Sequence, residues 1–155
     1  MTNLKLDLDL VPQTCWFSNV RSVLTKSQWN VLRQQIISPT YGICQICKST
    51  SEKSLECHEI WHYDDQKLIQ KLLGMIALCH DCHMVKHMGF AQVSGQGAQA
   101  LKHFMKVNGL KKKYAEKHVT NCFKLWQERS QYEWKLDISI LQTYGIDTSK
   151  IRRSP

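Results

Sequence analysis

Two stretches decide how this chain folds, Cys44-Gln45-Ile46-Cys47 and Leu78-Cys79-His80-Asp81-Cys82-His83-Met84-Val85-Lys86-His87. Each stretch contains a Cys-x-x-Cys pair, whose two-residue spacer lets both thiolates reach one tetrahedral ion. Two such pairs supply four sulfur ligands, which is the full coordination of a structural zinc ion. The sequence therefore predicts a zinc knuckle at 40–90, with one Zn²⁺ on Cys44, Cys47, Cys79 and Cys82.

A disulfide framework is the alternative use of these cysteines. The chain has seven cysteines, an odd number, and its first residues lack the basic region and apolar stretch of a signal peptide. Paired spacing in a reducing compartment favours a metal site over disulfides. We therefore expect a cytoplasmic protein, in which Cys15 and Cys122 act as small buried hydrophobic residues.

Length and charge limit the class of protein. A chain of 155 residues is expected to form a single domain, 1–155, with one core. No apolar run reaches 18 residues, so no membrane span is expected. The 21 basic and 13 acidic residues give a formal net charge of +8, which suits a polyanionic partner, above all nucleic acid.

Hydrophobic periodicity predicts an α+β fold. Alternating apolar residues indicate a first strand at 4–10 and a last strand at 134–140, which could pair with each other. Helical spacing indicates helices that begin near Ser27 and end before Pro39, run over 98–107, and run over 111–131. Within the zinc-binding region, the pattern predicts strands at 55–61 and 72–78 and a helix from Cys79 to Met88, closed by Gly89.

His83 and His87 lie one helical turn apart, so their imidazoles leave the same face of the predicted helix. Such a pair can supply two ligands of a second metal site that keeps an open position. The alternative is that both histidines are ordinary surface or core residues. Because Cys79 and Cys82 fix the start of the same helix, we interpret the pair as ligands.

Cys57 and His58 occupy adjacent positions of the predicted strand 55–61 and point to opposite faces. One of them could face the second metal while the other faces a substrate, or one of them could simply be packed. Histidine has an unperturbed pKa near neutrality, so it can deprotonate water beside a divalent ion and a phosphodiester. His58 is therefore a candidate catalytic base.

The run from Cys44 to His87 resembles the HNH endonucleases, whose ββα-metal core is built on a treble clef. A wider likeness to small bacterial and phage HNH proteins is carried by Thr14–Arg21, Cys57-His58-Glu59-Ile60-Trp61, Lys86-His87-Met88-Gly89, Val107-Asn108-Gly109, Trp126–Arg129 and Glu133-Trp134. The resemblance implies a treble-clef zinc knuckle with a ββα-metal core, flanked by helices. It also implies a metal-dependent endonuclease that hydrolyses phosphodiester bonds.

Residue roles follow from this resemblance in two registers. In the first, His58 is the general base, Cys57 takes the place of the first metal ligand, and His83 and His87 are the ligands on the helix. In the second, His58 is the ligand and Glu59 occupies the position of the base. The chain has no asparagine between His62 and Leu78, where the family has the residue that orients the base.

The expected function is therefore cleavage of DNA by an enzyme with a structural Zn²⁺ and a second divalent metal, which could be Mg²⁺, Mn²⁺, Ni²⁺ or Zn²⁺. Double-stranded DNA is the expected partner. The rival hypothesis is a catalytically inactive zinc-knuckle module that binds nucleic acid or protein. A second metal on the histidines would favour the enzyme.

Overall fold

The structure is a computed structural model that describes residues 3–151. Within these residues the protein is α+β, with a three-stranded sheet and flanking helices. The strands are β1 (Glu56–Asp64), β2 (Ile69–Leu78) and β3 (Lys135–Asp137). The helices are α1 (Val20–Val23), α2 (Lys26–Ile37), α3 (His80–Lys86), α4 (Met88–Val93), α5 (Gly97–Asn108) and α6 (Lys112–Arg129). Short 3₁₀ helices lie at Gln13–Ser18, Ser38–Thr40, Ser139–Tyr144 and Thr148–Lys150.

An antiparallel hairpin of β1 and β2 forms the centre of the sheet. Its register places His58 opposite Ile76, and the pairing shifts between Ile60 and Trp61. The chain leaves β2 at Leu78 and enters α3 almost at once, so α3 lies at the end of the hairpin that carries His58. The predicted pair of strands is confirmed, and each extends several residues beyond its predicted range.

The predicted pairing of the two terminal segments is wrong. β3 pairs with β2 in the parallel direction, with Ile69 opposite Lys135, and residues 3–12 belong to no strand. The alternating leucines are instead satisfied by packing, because Leu6 is fully buried and its neighbours pack against the same hydrophobic cluster. Backbone groups of this segment bond to helices, as when the Asp9 N–H donates to the Lys86 carbonyl.

The helix after the second cysteine pair also differs from its prediction. It ends at Lys86, where His87 leaves helical geometry with φ −96° and ψ 48°, and α4 begins at the next residue. Gly89 therefore lies inside α4 and does not close α3. The His87 N–H still donates to the His83 carbonyl at 3.1 Å, as in a helix, so the two imidazoles stay one turn apart.

Two hydrophobic clusters stabilise the fold. The first joins the N-terminal segment, the end of β2 and helices α3 to α6 around Phe104, which is fully buried. The second joins α1, α2, β2 and residues 136–151 around Leu32 and Leu141.

Thr25 caps α2 through a reciprocal hydrogen-bond pair with Gln28, two residues before the predicted cap. No helix within residues 3–151 is long and apolar enough to cross a membrane.

Asn108 at the end of α5 fastens the N-terminal segment to the helices. Its Oδ1 accepts from the N–H groups of Lys5 and Leu6 at 2.8 and 3.1 Å. Its Nδ2 donates to the carbonyls of Leu6 and Phe104 at 2.8 and 3.0 Å. One side chain therefore satisfies four backbone groups.

We predict that Asn108→Ala lowers the free energy of unfolding by about 1–3 kcal/mol, because backbone groups of a packed segment lose their partners. Urea denaturation of the variant and the parent protein measures this change. Asn121→Ala, at an exposed position of α6, is the matched control and should change stability by less than about 0.5 kcal/mol. Equal stabilities of the two variants would contradict the prediction.

Candidate metal centres

Four sulfur atoms meet where the turn at 44–47 faces the start of α3. All four Sγ atoms lie within 4.8 Å of one another, and those of Cys47 and Cys79 are 3.7 Å apart. A tetrahedral zinc ion with Zn–S bonds of about 2.3 Å separates its sulfurs by about 3.8 Å. None of the seven cysteines, which all lie in the described range, forms a disulfide. The cluster of Cys44, Cys47, Cys79 and Cys82 could therefore hold a metal ion such as zinc.

The first cysteine pair lies in a tight turn that is tied to β2. The Lys48 N–H donates to the Cys44 carbonyl at 3.0 Å, and Lys48 adopts a left-handed conformation with φ 62°. Gln45 then joins the turn to β2 twice, because its N–H donates to the Ala77 carbonyl and its Oε1 accepts from the Ala77 N–H. These contacts hold the turn against the end of the hairpin.

The second pair lies at the beginning of α3. Cys79 is the N-cap residue, and its Sγ accepts from the Cys82 N–H at 3.5 Å. The hydrogen bond between Cys44 and Cys82 lowers the pKa of Cys44 to about 4. The same bond, with burial and the charge of the nearby sulfurs, raises the pKa of Cys82. A divalent cation would favour the thiolate form of all four cysteines.

His103 of α5 is a neighbour of this cluster that sequence reasoning missed. Its Nε2 lies 3.2 Å from the Sγ of Cys82, and burial is the main cause that lowers its pKa. A neutral imidazole can donate its N–H to a thiolate, which is how groups around a metal site orient its ligands. No spacing rule relates His103 to the cysteine pairs, so the contact is visible only in the fold.

A second donor group consists of three histidines, one from β1 and two from the helix. Ring nitrogens of His58, His83 and His87 lie within 4.8 Å of one another, and the Nε2 atoms of His83 and His87 are 3.0 Å apart. The three rings meet edge to face, with centroids 4.6–5.2 Å apart. The structure therefore brings together the two predicted helix ligands and the histidine of the strand.

Two of these imidazole rings also contact a carboxylate through a ring nitrogen. Asp9 Oδ2 lies 3.1 Å from His58 Nε2, and Glu56 Oε2 lies 3.4 Å from His83 Nδ1. His58 is 2% exposed, and its other nitrogen, Nδ1, is buried without a hydrogen-bond partner among the described residues. A histidine with a carboxylate on one nitrogen and no partner on the other has the arrangement of a metal ligand.

Burial lowers the pKa of both helix histidines. Loss of hydration is the largest cause, and the nearby His58 acts in the same direction. The pKa of His87 falls to about 4. Both rings are therefore neutral at neutral pH, which is the form that binds a metal ion.

Cys57 is not part of this donor group. Its side chain packs with the second hydrophobic cluster, and burial raises its pKa to about 12. Neighbouring residues of a strand point to opposite faces, so β1 cannot direct both Cys57 and His58 at the same ion. Of these two neighbours on β1, His58 and not Cys57 lies beside His83 and His87.

An apolar cavity of about 550 Å³ opens beside the histidines. His58 and His87 line it together with Asp9 and Glu59. Glu59 is held in place because its Oε1 accepts from the Val20 N–H at 3.1 Å. The remaining wall includes five aromatic side chains, which are Trp16, Trp61, Phe90, Phe123 and Trp126.

A basic groove lies on the other side of β1, between that strand and the helices α1 and α2. Its volume is about 630 Å³, and His83 and Glu56 line it at the end near the histidines. Three cationic side chains line the remainder, together with polar residues. They are Arg21, Lys26 and Arg33.

We predict that Cys82→Ala removes one tightly bound zinc and unfolds the region 40–90, because three thiolates cannot complete the coordination. Metal analysis of the purified protein and circular dichroism measure the two effects. Cys57→Ala is the matched control, since it removes a half-buried cysteine outside the cluster, and it should keep the zinc. Loss of zinc in both variants, or in neither, would contradict the assignment.

Comparisons of the chain with protein-family models, with curated proteins and with solved structures find no match. The interpretation of both donor groups therefore rests on the identity of the donor atoms, on their convergence and on their burial. Four sulfurs and three imidazoles are sets that zinc and related divalent ions prefer.

Proposed function

We propose that this protein is a metal-dependent nuclease of the HNH type that hydrolyses phosphodiester bonds in DNA. The observation that carries the proposal is the convergence of His58, His83 and His87 at the end of a hairpin that leads into α3. A hairpin followed by a helix, next to a four-cysteine cluster, is the arrangement expected of a ββα-metal core on a treble clef.

The three imidazoles would hold the second divalent ion, and Asp9 and Glu56 would orient two of them. Such an ion supplies electrostatic stabilisation of the charge that develops on a phosphodiester during hydrolysis. Three protein ligands leave coordination positions open, as in catalytic sites, whereas the four cysteines close theirs. The two donor groups therefore suit different roles, one catalytic and one structural.

Glu59 is the candidate general base in this proposal. It lines the same cavity as His58 and His87, and its hydrogen bond from the Val20 N–H fixes the side chain. His58 is less suited to that role, because its Nε2 faces Asp9 and the residue belongs to the donor group of His83 and His87. The place of His58 among the three histidines thus supports its role as ligand in the second register, and Glu59 is the base that this register assigns.

The basic groove supplies a path for the nucleic-acid backbone. Arg21, Lys26 and Arg33 line it, and the groove reaches His83. Cationic side chains that lead to a metal site would place phosphates near that metal, and the net charge of +8 would favour association with DNA. Contacts of this kind bind the backbone and carry little sequence information.

We predict that Glu59→Gln lowers the cleavage rate by about 10²–10⁴-fold while the second metal stays bound, because the amide keeps the acceptor for Val20 but cannot take a proton. His58→Ala should lose both the second metal and cleavage. Nicking of supercoiled plasmid with Mg²⁺, Mn²⁺, Ni²⁺ or Zn²⁺, combined with metal analysis, measures both effects. Glu52→Gln, at an exposed loop position, is the control and should cleave normally.

The alternative register gives the opposite result. If His58 were the base, His58→Ala would keep the second metal and Glu59→Gln would cleave normally. If the parent protein binds DNA but cleaves none with any of the four metals, the rival function is favoured, a zinc-knuckle module that binds without catalysis.

We predict that DNA binding weakens steeply with salt and that Lys26→Ala reduces the slope of log K against log salt by about 0.9, the value for one phosphate contact. Lys117→Ala is the matched control, since it removes an exposed helical lysine outside the groove. Fluorescence anisotropy with a labelled duplex at several salt concentrations measures the slopes. Equal slopes for the two variants would contradict the proposed path of the backbone.

A further inference from the structure

A third donor group lies away from both centres, between the N-terminal segment and α6. His118 Nε2 is 2.6 Å from Asp7 Oδ1 and 3.4 Å from Cys122 Sγ, and the three donor atoms lie within 4.8 Å of one another. His118 and Cys122 are one turn apart on α6, so both side chains leave the same face of the helix. The ring of His118 stacks on Phe104, with an angle of 22° between the planes, which fixes its orientation.

These residues do not form a nucleophilic triad. In such a triad the histidine contacts the carboxylate through one ring nitrogen and the nucleophile through the other. Here Asp7 and Cys122 both face Nε2. Burial, followed by the charge of Asp7, also raises the pKa of Cys122 to about 11, so without a cation the thiol remains protonated at neutral pH.

A simple ion pair accounts for only part of the arrangement. A protonated His118 would satisfy Asp7, but its single Nε2–H cannot also point at the sulfur of Cys122. A metal ion placed between these three donor atoms could bind all of them at once.

We infer that Asp7, His118 and Cys122 form a binding site for a divalent ion of the zinc class. Oxygen, nitrogen and sulfur donors together suit a borderline-soft ion and disfavour Mg²⁺ or Ca²⁺. Tetrahedral bonds of about 2.0 Å to nitrogen and 2.3 Å to sulfur would separate those two atoms by about 3.5 Å, close to the observed 3.4 Å. For the same geometry, the distance between Asp7 Oδ1 and His118 Nε2 must increase by roughly 0.7 Å. Asp7 is 47% exposed, so its carboxylate has room to move away from the ring.

The site would join two parts of the chain that no strand pairing connects. Asp7 belongs to the segment 3–12, which is in no strand, whereas the other two ligands belong to α6. Asp9, two residues after Asp7, holds His58. An ion at this site would therefore fasten the segment that orients a histidine of the second centre. The inference does not depend on nuclease activity.

Titration with Co²⁺ tests the site on the full chain loaded with a single equivalent of Zn²⁺, which four thiolates bind in preference to three mixed donors. Co²⁺ binds more weakly than Zn²⁺ to a given site, so it should leave the four-cysteine cluster loaded, and the three-histidine group contains no sulfur. A near-ultraviolet thiolate-to-cobalt absorption band that appears on titration therefore reports a further site with a cysteine ligand. We expect this band in the parent protein and its loss in Cys122→Ala.

Controls and a second variant make the result decisive. Thr120→Ala on the same helix and Cys57→Ala elsewhere should keep the band at unchanged affinity. Asp7→Asn, at a half-exposed position, should weaken Co²⁺ binding by more than about tenfold without unfolding the protein, because a direct ligand matters at least as much as an outer partner. Absence of the band in the parent protein, its persistence in Cys122→Ala, or unchanged affinity in Asp7→Asn would overturn the inference.

Discussion

The position of α3 determines the geometry of both principal donor groups. This helix has only seven residues, and isolated helices of that length are not stable in water. It is held by the sulfur cluster at its first turn and by the burial of Met84 and Val85. His83 and His87 leave the remaining side, so their place beside β1 depends on how the cysteines anchor the start of the helix. A metal ion held by the four cysteines would therefore also align the histidines.

Sequence patterns were sufficient for the parts of the site whose residues are close along the chain. The two-residue spacers predicted which cysteines come together, and the i, i+4 spacing predicted that His83 and His87 share a face. Both predictions depend on local geometry that a turn or a single helix fixes. The alternation of residues in a strand likewise restricted Cys57 and His58 to opposite faces, although it did not say which of them faces the helix.

The parts that sequence could not supply involve distant residues. Asp9 contacts His58 across 49 positions, and nothing in either local pattern relates them. The leucines of the segment 4–10 have the spacing of a strand, but helices provided both the apolar surface and the hydrogen-bond partners that a sheet would otherwise have offered. A period-two pattern reports which side chains are buried, and it does not report what buries them.

The long reach of the N-terminal segment has a consequence for the order of folding. The contacts that hold it join residues about a hundred positions apart, with 102 between Leu6 and Asn108 and 111 between Asp7 and His118. At synthesis rates of about 5–20 residues per second, α5 and α6 follow this segment by roughly 5–20 s. The four cysteines of the cluster, all between 44 and 82, are made before α5 and α6 and can gather without either helix. The contacts of this segment with Asn108 and His118 can form only once α5 and α6 have been made, so the cysteine cluster can gather before the segment that carries Asp9 is fully held.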